Sequence, residues 1–140
     1  MPAADAFKAN HPDCDVIIDD VNKVLKEVLD AEDDHDDGKF KPRLPGKGQV
    51  QLLVGGPPCK GFSLLNKFTK NDASRFKRSL IVSYLAFCDY YRPDYFILEN
   101  VKNFAFFNSG QVVRLCMSAL VHMGYQVHMQ LPYAYATTPS

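Results

Sequence analysis

The sequence has no excess of either charge: 16 lysines and arginines balance 16 aspartates and glutamates, for a formal net charge of zero. Overall charge therefore does not announce a nucleic-acid partner, and any such surface has to be a local one. Cysteine is sparse and scattered: Cys14, Cys59, Cys88 and Cys116 include no Cys-x-x-Cys pair. That spacing argues against a structural zinc site and a disulfide framework, and it fits a reducing compartment. No apolar run reaches the length of a membrane span, and no charged-then-apolar opening points to secretion. Internal repeats are also missing. What remains is 140 residues with a hydrophobic fraction of 46%, enough chain for one domain with a modest core.

The chain reads as alternating strands and helices. A short helix over residues 3–10, with Ala3, Ala4, Phe7 and Ala9 available for packing, ends at Asn10-His11-Pro12. Residues 15–18 read as a strand. A helix capped by Asp20 follows, with Val21, Val24, Leu25, Val28 and Leu29 on one stripe. From residue 31 to 48 an acidic block gives way to lysines, an arginine, prolines and glycines, the composition of a charged surface loop. Residues 50–54 read as a buried strand, 74–91 as a helix with Leu80, Ile81, Tyr84, Leu85, Phe87 and Cys88 on its packed face and ended by Arg92-Pro93, 94–98 as a second buried strand and 111–123 as a helix capped by Gly124. Residues 125–131 read as a last strand, and 132–140 as an irregular tail. This order predicts an α/β fold with a parallel sheet, one domain over residues 1–131.

One stretch concentrates chemistry. The strand at 50–54 stops at Gly55-Gly56, where a sharp turn and close ligand approach are allowed. Pro57-Pro58 then fix two φ angles. Cys59 follows on a rigid pedestal, and Gly61 restores freedom beyond it. A thiol presented this way at the carboxyl edge of an α/β sheet suits nucleophilic catalysis better than the inert packing usual for free cysteine. Cys14, Cys88 and Cys116 fall on strand or helix faces and read as packing residues. Lys60, Lys67, Lys70, Arg75, Lys77 and Arg78 face a single acid, Asp72, which makes a local basic stretch suited to phosphates.

Gly-Pro-Pro-Cys-x-Gly-Phe-Ser at residues 56–63 resembles the catalytic loop of the DNA (cytosine-5)-methyltransferases. Phe96-Ile97-Leu98-Glu99-Asn100-Val101 resembles that family's Glu-Asn-Val motif, again at a strand end. The wording around both is most like the eukaryotic maintenance-type enzyme, over residues 3–126. The resemblance implies a Rossmann-like methyltransferase fold, S-adenosylmethionine as methyl donor, double-stranded DNA as substrate and a nuclear location. It implies no metal. Cys59 would add to C6 of a flipped cytosine, making C5 nucleophilic towards the methyl group. At an unperturbed pKa of about 8.5 a thiol is only slightly ionised at neutral pH, so Lys60 or loop amides would lower it. Glu99, its pKa raised by burial, would supply a proton or hydrogen bond at N3. Asn100 would hold the loop by hydrogen bonding.

By the same resemblance, Asp20 and Val21 would meet the adenosine end of the cofactor, with Gly55, Pro57 and Leu80 lining the pocket. Lys60, Ser63, Lys67 and Lys70 would contact DNA. An RNA cytosine-5 methyltransferase is the near alternative, with Gly61-Phe62-Ser63 favouring DNA. An inactive binding remnant is an alternative of another class. The family's opening Phe-x-Gly-x-Gly turn and its later Gln-x-Arg-x-Arg segment are not in these 140 residues. The sequence is therefore expected to be an internal piece of a catalytic domain, its sheet incomplete at both ends and inactive alone.

Overall fold

The computed structural model describes residues 2–33, 44–58 and 80–130. The chain divides into two compact units, residues 1–44 and 45–140.

In the first unit, α1 (Pro2–Asn10) buries none of its residues. The packing face expected of it is not formed: Phe7 is half exposed and lies against the His11 ring, centroids 4.6 Å apart. Residues 15–18 form no strand, because the described residues of this unit offer no second strand to pair with. Cys14 is exposed rather than packed. Helix α2 (Val21–Asp33) starts as predicted. The Asp20 Oδ1 accepts from the Asn22 amide at 2.8 Å, and the Asp20 carbonyl accepts the first helical bond from Val24 at 3.0 Å. Only Val28 on its stripe is fully buried. The helix runs to Asp33, so the acidic block expected as loop from residue 31 begins inside it.

The second unit holds the sheet. Strands β1 (Leu52–Gly55) and β2 (Tyr95–Leu98) are parallel, in the register Leu52 to Tyr95 through Gly55 to Leu98. The connection between them contains helix α3 (Leu80–Tyr91). Among the described residues, both strands expected as buried are covered on one face only. Leu53, Phe96 and Leu98 pack on the cluster of Tyr84, Cys88 and Leu120, while Leu52, Val54, Tyr95 and Ile97 are each more than half exposed. Two short elements were not foreseen, α4 (Lys102–Phe106) and a 3-10 turn (Phe107–Gly110). They bring Phe104 into a second cluster with Ile81, Val112, Val113 and Cys116. Helix α5 (Gln111–His122) then packs along α3.

The end of α5 shows how a glycine prediction is realised. Gly124 has φ +94, and its amide donates to Val121 O at 2.9 Å while the Tyr125 amide donates to Leu120 O at 3.0 Å. Both bonds satisfy carbonyls the helix would otherwise leave open. The chain beyond is not a strand: residues 125–130 alternate in burial up to His128 but pair with no ladder among the described residues. Tyr125 instead sets its ring edge-on to Phe96 at 5.1 Å and donates its hydroxyl to Pro93 O at 2.9 Å. The end of α3 is held by Arg92, whose φ is +50. Its guanidinium donates to Asp89 O at 2.9 Å, to Asp89 Oδ1 at 2.6 Å and to Met123 O at 2.9 Å. The described sheet thus has two parallel strands in place of the four the sequence suggested.

Candidate functional site

Because β1 and β2 are parallel, their carboxyl ends lie at the same edge of the sheet, the edge where open α/β folds bind ligands. Each ends in one of the two segments singled out above. The pairing extends one step past the last register pair, with the Glu99 amide donating to Gly55 O at 2.9 Å. The side chain of Asn100 then crosses to the other loop, Nδ2 donating to Pro57 O at 2.8 Å. Its Oδ1 accepts from the Val101 amide at 2.9 Å, so both ends of the amide are engaged and its orientation is set. Holding the loop was the role expected of Asn100, and the bond fastens the loop at Pro57.

Glu99 departs from expectation. It is exposed, where the sequence reading placed it in a buried setting. The carboxylate lies over Gly56: a Cβ added there would sit 3.2 Å from Glu99 Oε2.

Behind the edge, Tyr84 of α3 joins the two strands. Its hydroxyl lies 3.1 Å from Ile97 O and 3.3 Å from Leu53 O, one proton facing two backbone acceptors. Its ring fills the space beside Gly55, where a Cβ would stand 2.7 Å from two ring carbons. Burial first, with Cys88 next, pushes the Tyr84 hydroxyl well above the ordinary tyrosine range. Burial likewise raises the Cys88 thiol to about 11, against a smaller lowering from its hydrogen bond with Tyr84. Cys116 is raised to about 11 by burial. Both stay protonated and inert at neutral pH, the packing role expected of them.

An open cavity of about 470 Å³ borders β2, and no β1 residue lines it. Its lining includes Phe96 to Lys102, Cys116, Met117, Leu120 and Val127 to Gln130. Glu99 and Asn100 reach it, whereas Gly55, Pro57 and Leu80 do not. The cavity therefore does not gather the residues expected to line a cofactor pocket. Asp20 and Val21 belong to the first unit, both exposed at the start of α2. Cys59, Lys60, Ser63, Lys67 and Lys70 lie outside the described residues. Among the described residues no group of three His, Cys, Asp or Glu could hold a metal ion, and no helix is long and apolar enough to cross a membrane.

Sequence reading gave Tyr84 only a packing role and gave Gly56 none of its own. A tyrosine on an otherwise apolar helix face was the available signal for the first, and the glycine doublet for the second.

The model of a family described as C-5 cytosine-specific DNA methylase matches residues 1–136. Over 125 residues the chain is 48% identical to DNA (cytosine-5)-methyltransferase PliMCI of Paracentrotus lividus and 49% identical to DNA (cytosine-5)-methyltransferase 1 of Gallus gallus. Each match covers 89% of this chain and 8% of the relative. DNA (cytosine-5)-methyltransferase 1B of Oryza sativa subsp. japonica is 41% identical over 141 residues, covering 90% of this chain and 9% of the relative. The chain thus spans less than a tenth of the length of these relatives.

Proposed function

The chain belongs to the C-5 cytosine-specific DNA methylase family, of the eukaryotic maintenance type, and from that premise we propose that it acts as part of a DNA (cytosine-5)-methyltransferase. The reading covers residues 1–131 as one catalytic domain of Rossmann-like fold, acting on double-stranded DNA in the nucleus. The observation that carries it is the bond from Asn100 Nδ2 to Pro57 O, which ties the Glu-Asn-Val segment to the Pro-Pro-Cys segment at one sheet edge.

In this mechanism Cys59, two residues beyond the fastened Pro57, adds as thiolate to C6 of a cytosine turned out of the duplex. Glu99 donates a hydrogen bond or proton at N3 and so relieves the negative charge that this addition builds on the ring. The addition makes C5 nucleophilic enough to accept an electrophilic methyl group, which a bound S-adenosylmethionine would supply with its sulfur keeping the electron pair. Once C5 has given its proton to solvent, the Cys59 sulfur leaves C6 with the electron pair of its bond. Asn100 contributes by keeping the loop and the acid in one register. Lys60, Ser63, Lys67 and Lys70 grip phosphates near the target.

The cofactor assignment fits the described residues at one end. Asp20 is exposed, and among the described residues its Oδ1 alone is engaged, by the Asn22 amide, which leaves carboxylate oxygen for a ribose hydroxyl; the neighbouring exposed Val21 offers an apolar face to a purine. Gly55 offers no cradle, since the ring of Tyr84 takes its open side. S-adenosylmethionine, when bound, supplies the electrophilic methyl group.

The test uses a full-length methyltransferase carrying this segment and duplex DNA with 5-fluorocytosine at the target. Fluorine on C5 cannot leave as a proton, so a stable protein–DNA adduct is expected and should map to Cys59. Cys59→Ser should form no adduct and no product. An adduct that persists in Cys59→Ser removes this residue from the mechanism, and stronger methylation of tRNA than of duplex DNA moves the substrate to RNA.

A further inference from the structure

The two glycines that close β1 are glycines for different reasons, and neither reason is backbone conformation. The positive-φ glycines among the described residues are Gly48, Gly110 and Gly124, so Gly55 and Gly56 sit where any L-residue can. At Gly55 the space is taken by the Tyr84 ring, 2.7 Å from an added Cβ. Among the described residues, the nearest atom at Gly56 is Oε2 of Glu99, 3.2 Å from an added Cβ, with the Glu99 carbonyl oxygen next at 3.9 Å, so both of these contacts come from the one residue assigned the acid's role.

We propose that Gly56 is a positioning residue for Glu99: its bare Cα is the seat over which the carboxyl group lies. This rests on the reading of Glu99 given above and adds to it what holds the acid's position. The backbone of Glu99 is fixed by its amide bond to Gly55 O, but an exposed glutamate keeps three rotatable side-chain bonds. With Asn100 holding Pro57, the glycine lies under the carboxyl at a fixed height. A methyl group at residue 56 displaces the carboxylate by a few tenths of an ångström, and a branched side chain displaces it further. A misplacement of about 1 Å in a reacting group costs about 10²-fold in rate. Gly56→Ala should therefore slow the chemical step by roughly 3- to 10-fold and Gly56→Val by about 10²-fold, with affinities for DNA and methyl donor unchanged.

The decisive experiment is a double-mutant cycle in a full-length methyltransferase carrying this segment, read as single-turnover methyl transfer. Glu99→Gln alone should lose about 10²- to 10⁴-fold. If Gly56 acts through the acid, Gly56→Val in the Glu99→Gln background should cost nothing further. Losses that multiply, or wild-type rates for both Gly56 variants, overturn the proposal. Should Glu99→Gln transfer at the wild-type rate, the acid's role fails instead, and the seat is judged in the 140-residue chain with ¹³C-labelled glutamate. There Gly56→Ala should move the Glu99 carboxyl resonance and leave that of Glu27 in place. An unmoved Glu99 resonance overturns the proposal whatever the activity.

Discussion

The two faces of the β1–β2 pair are made of the same kind of residue and meet different surroundings. Leu53, Phe96 and Leu98 lie on Tyr84, Cys88 and Leu120, whereas Leu52, Val54, Tyr95 and Ile97 are 51%, 59%, 73% and 53% exposed. In most proteins a strand with one wet face alternates apolar and polar residues, while parallel strands covered on both faces run apolar throughout. These strands carry the second pattern in the surroundings of the first. Composition along a strand thus reports what a face is made to touch, which is not always what the neighbouring described residues cover.

The comparison can be broken by substitution, starting with the covered side. Leu120→Ala, beneath the inward face and only 2% exposed, should destabilise the chain by about 2–5 kcal/mol in denaturant unfolding. Ile97→Ser on the outward face should change stability by no more than about 0.5 kcal/mol. An Ile97→Ser cost approaching that of Leu120→Ala would mean that the outward face is covered in solution.

Gly55→Ala sharpens the same contrast, because it crowds the inward side alone. Overpacking against the Tyr84 ring should cost about 1–3 kcal/mol. Combining it with Tyr84→Leu should cost less than the sum of the two single changes. A strictly additive pair would show that the ring is not what excludes a side chain there.

Near neutral pH the smallest expected effect is that of pH, which acts only in alkaline solution. Cys88 and Cys116 are raised by burial to about 11 in the folded chain, above their value when unfolded. The folded state therefore holds these protons more tightly, and the unfolded state gives them up first as pH rises. Their contribution is complete below the unfolded thiol range near pH 9 and falls as pH climbs through about 11. Melting temperature should be flat with respect to these groups from pH 6 to 8 and decline above pH 9. Substituting both cysteines by alanine should flatten part of that decline. An unchanged slope in the double variant would assign the loss to other groups, the raised Tyr84 hydroxyl first among them.

Helices and their ends were the legible part of the fold. Asp20 caps α2, Arg92-Pro93 stops α3, and Gly124 closes α5, because each acts through bonds within a few residues. Strands were less legible. Residues 15–18 and 125–131 have strand-like composition, but a strand exists only through a partner, and none pairs with their described residues. Alternation was visible in neither β1 nor β2, since both faces are apolar. At the site, Glu99 and Asn100 were found through the resemblance of their segment to a family motif at a strand end, while the Asn100 bond to Pro57 needed the fold, since 43 residues separate the two. The part played by Gly56 was not legible, because its reason is a carboxylate 43 residues away in sequence that only the fold brings near. Tyr84 was placed on the right face, but its reach to two backbone carbonyls needed coordinates.

Arg92 is an arginine in a left-handed conformation, where glycine would be less strained. Its guanidinium contacts the carbonyl of Asp89 in the last turn of α3 and that of Met123, the C-cap of α5. Each helix carries about half a negative charge at that end, and among the described residues the Arg92 guanidinium, also paired with the Asp89 carboxylate, stands against both. Glycine there would relax the backbone and leave the two negative ends facing each other uncompensated. The strand that leads to Glu99 begins three residues after this arginine, so the charge balance of two helix ends sets the point from which that strand departs.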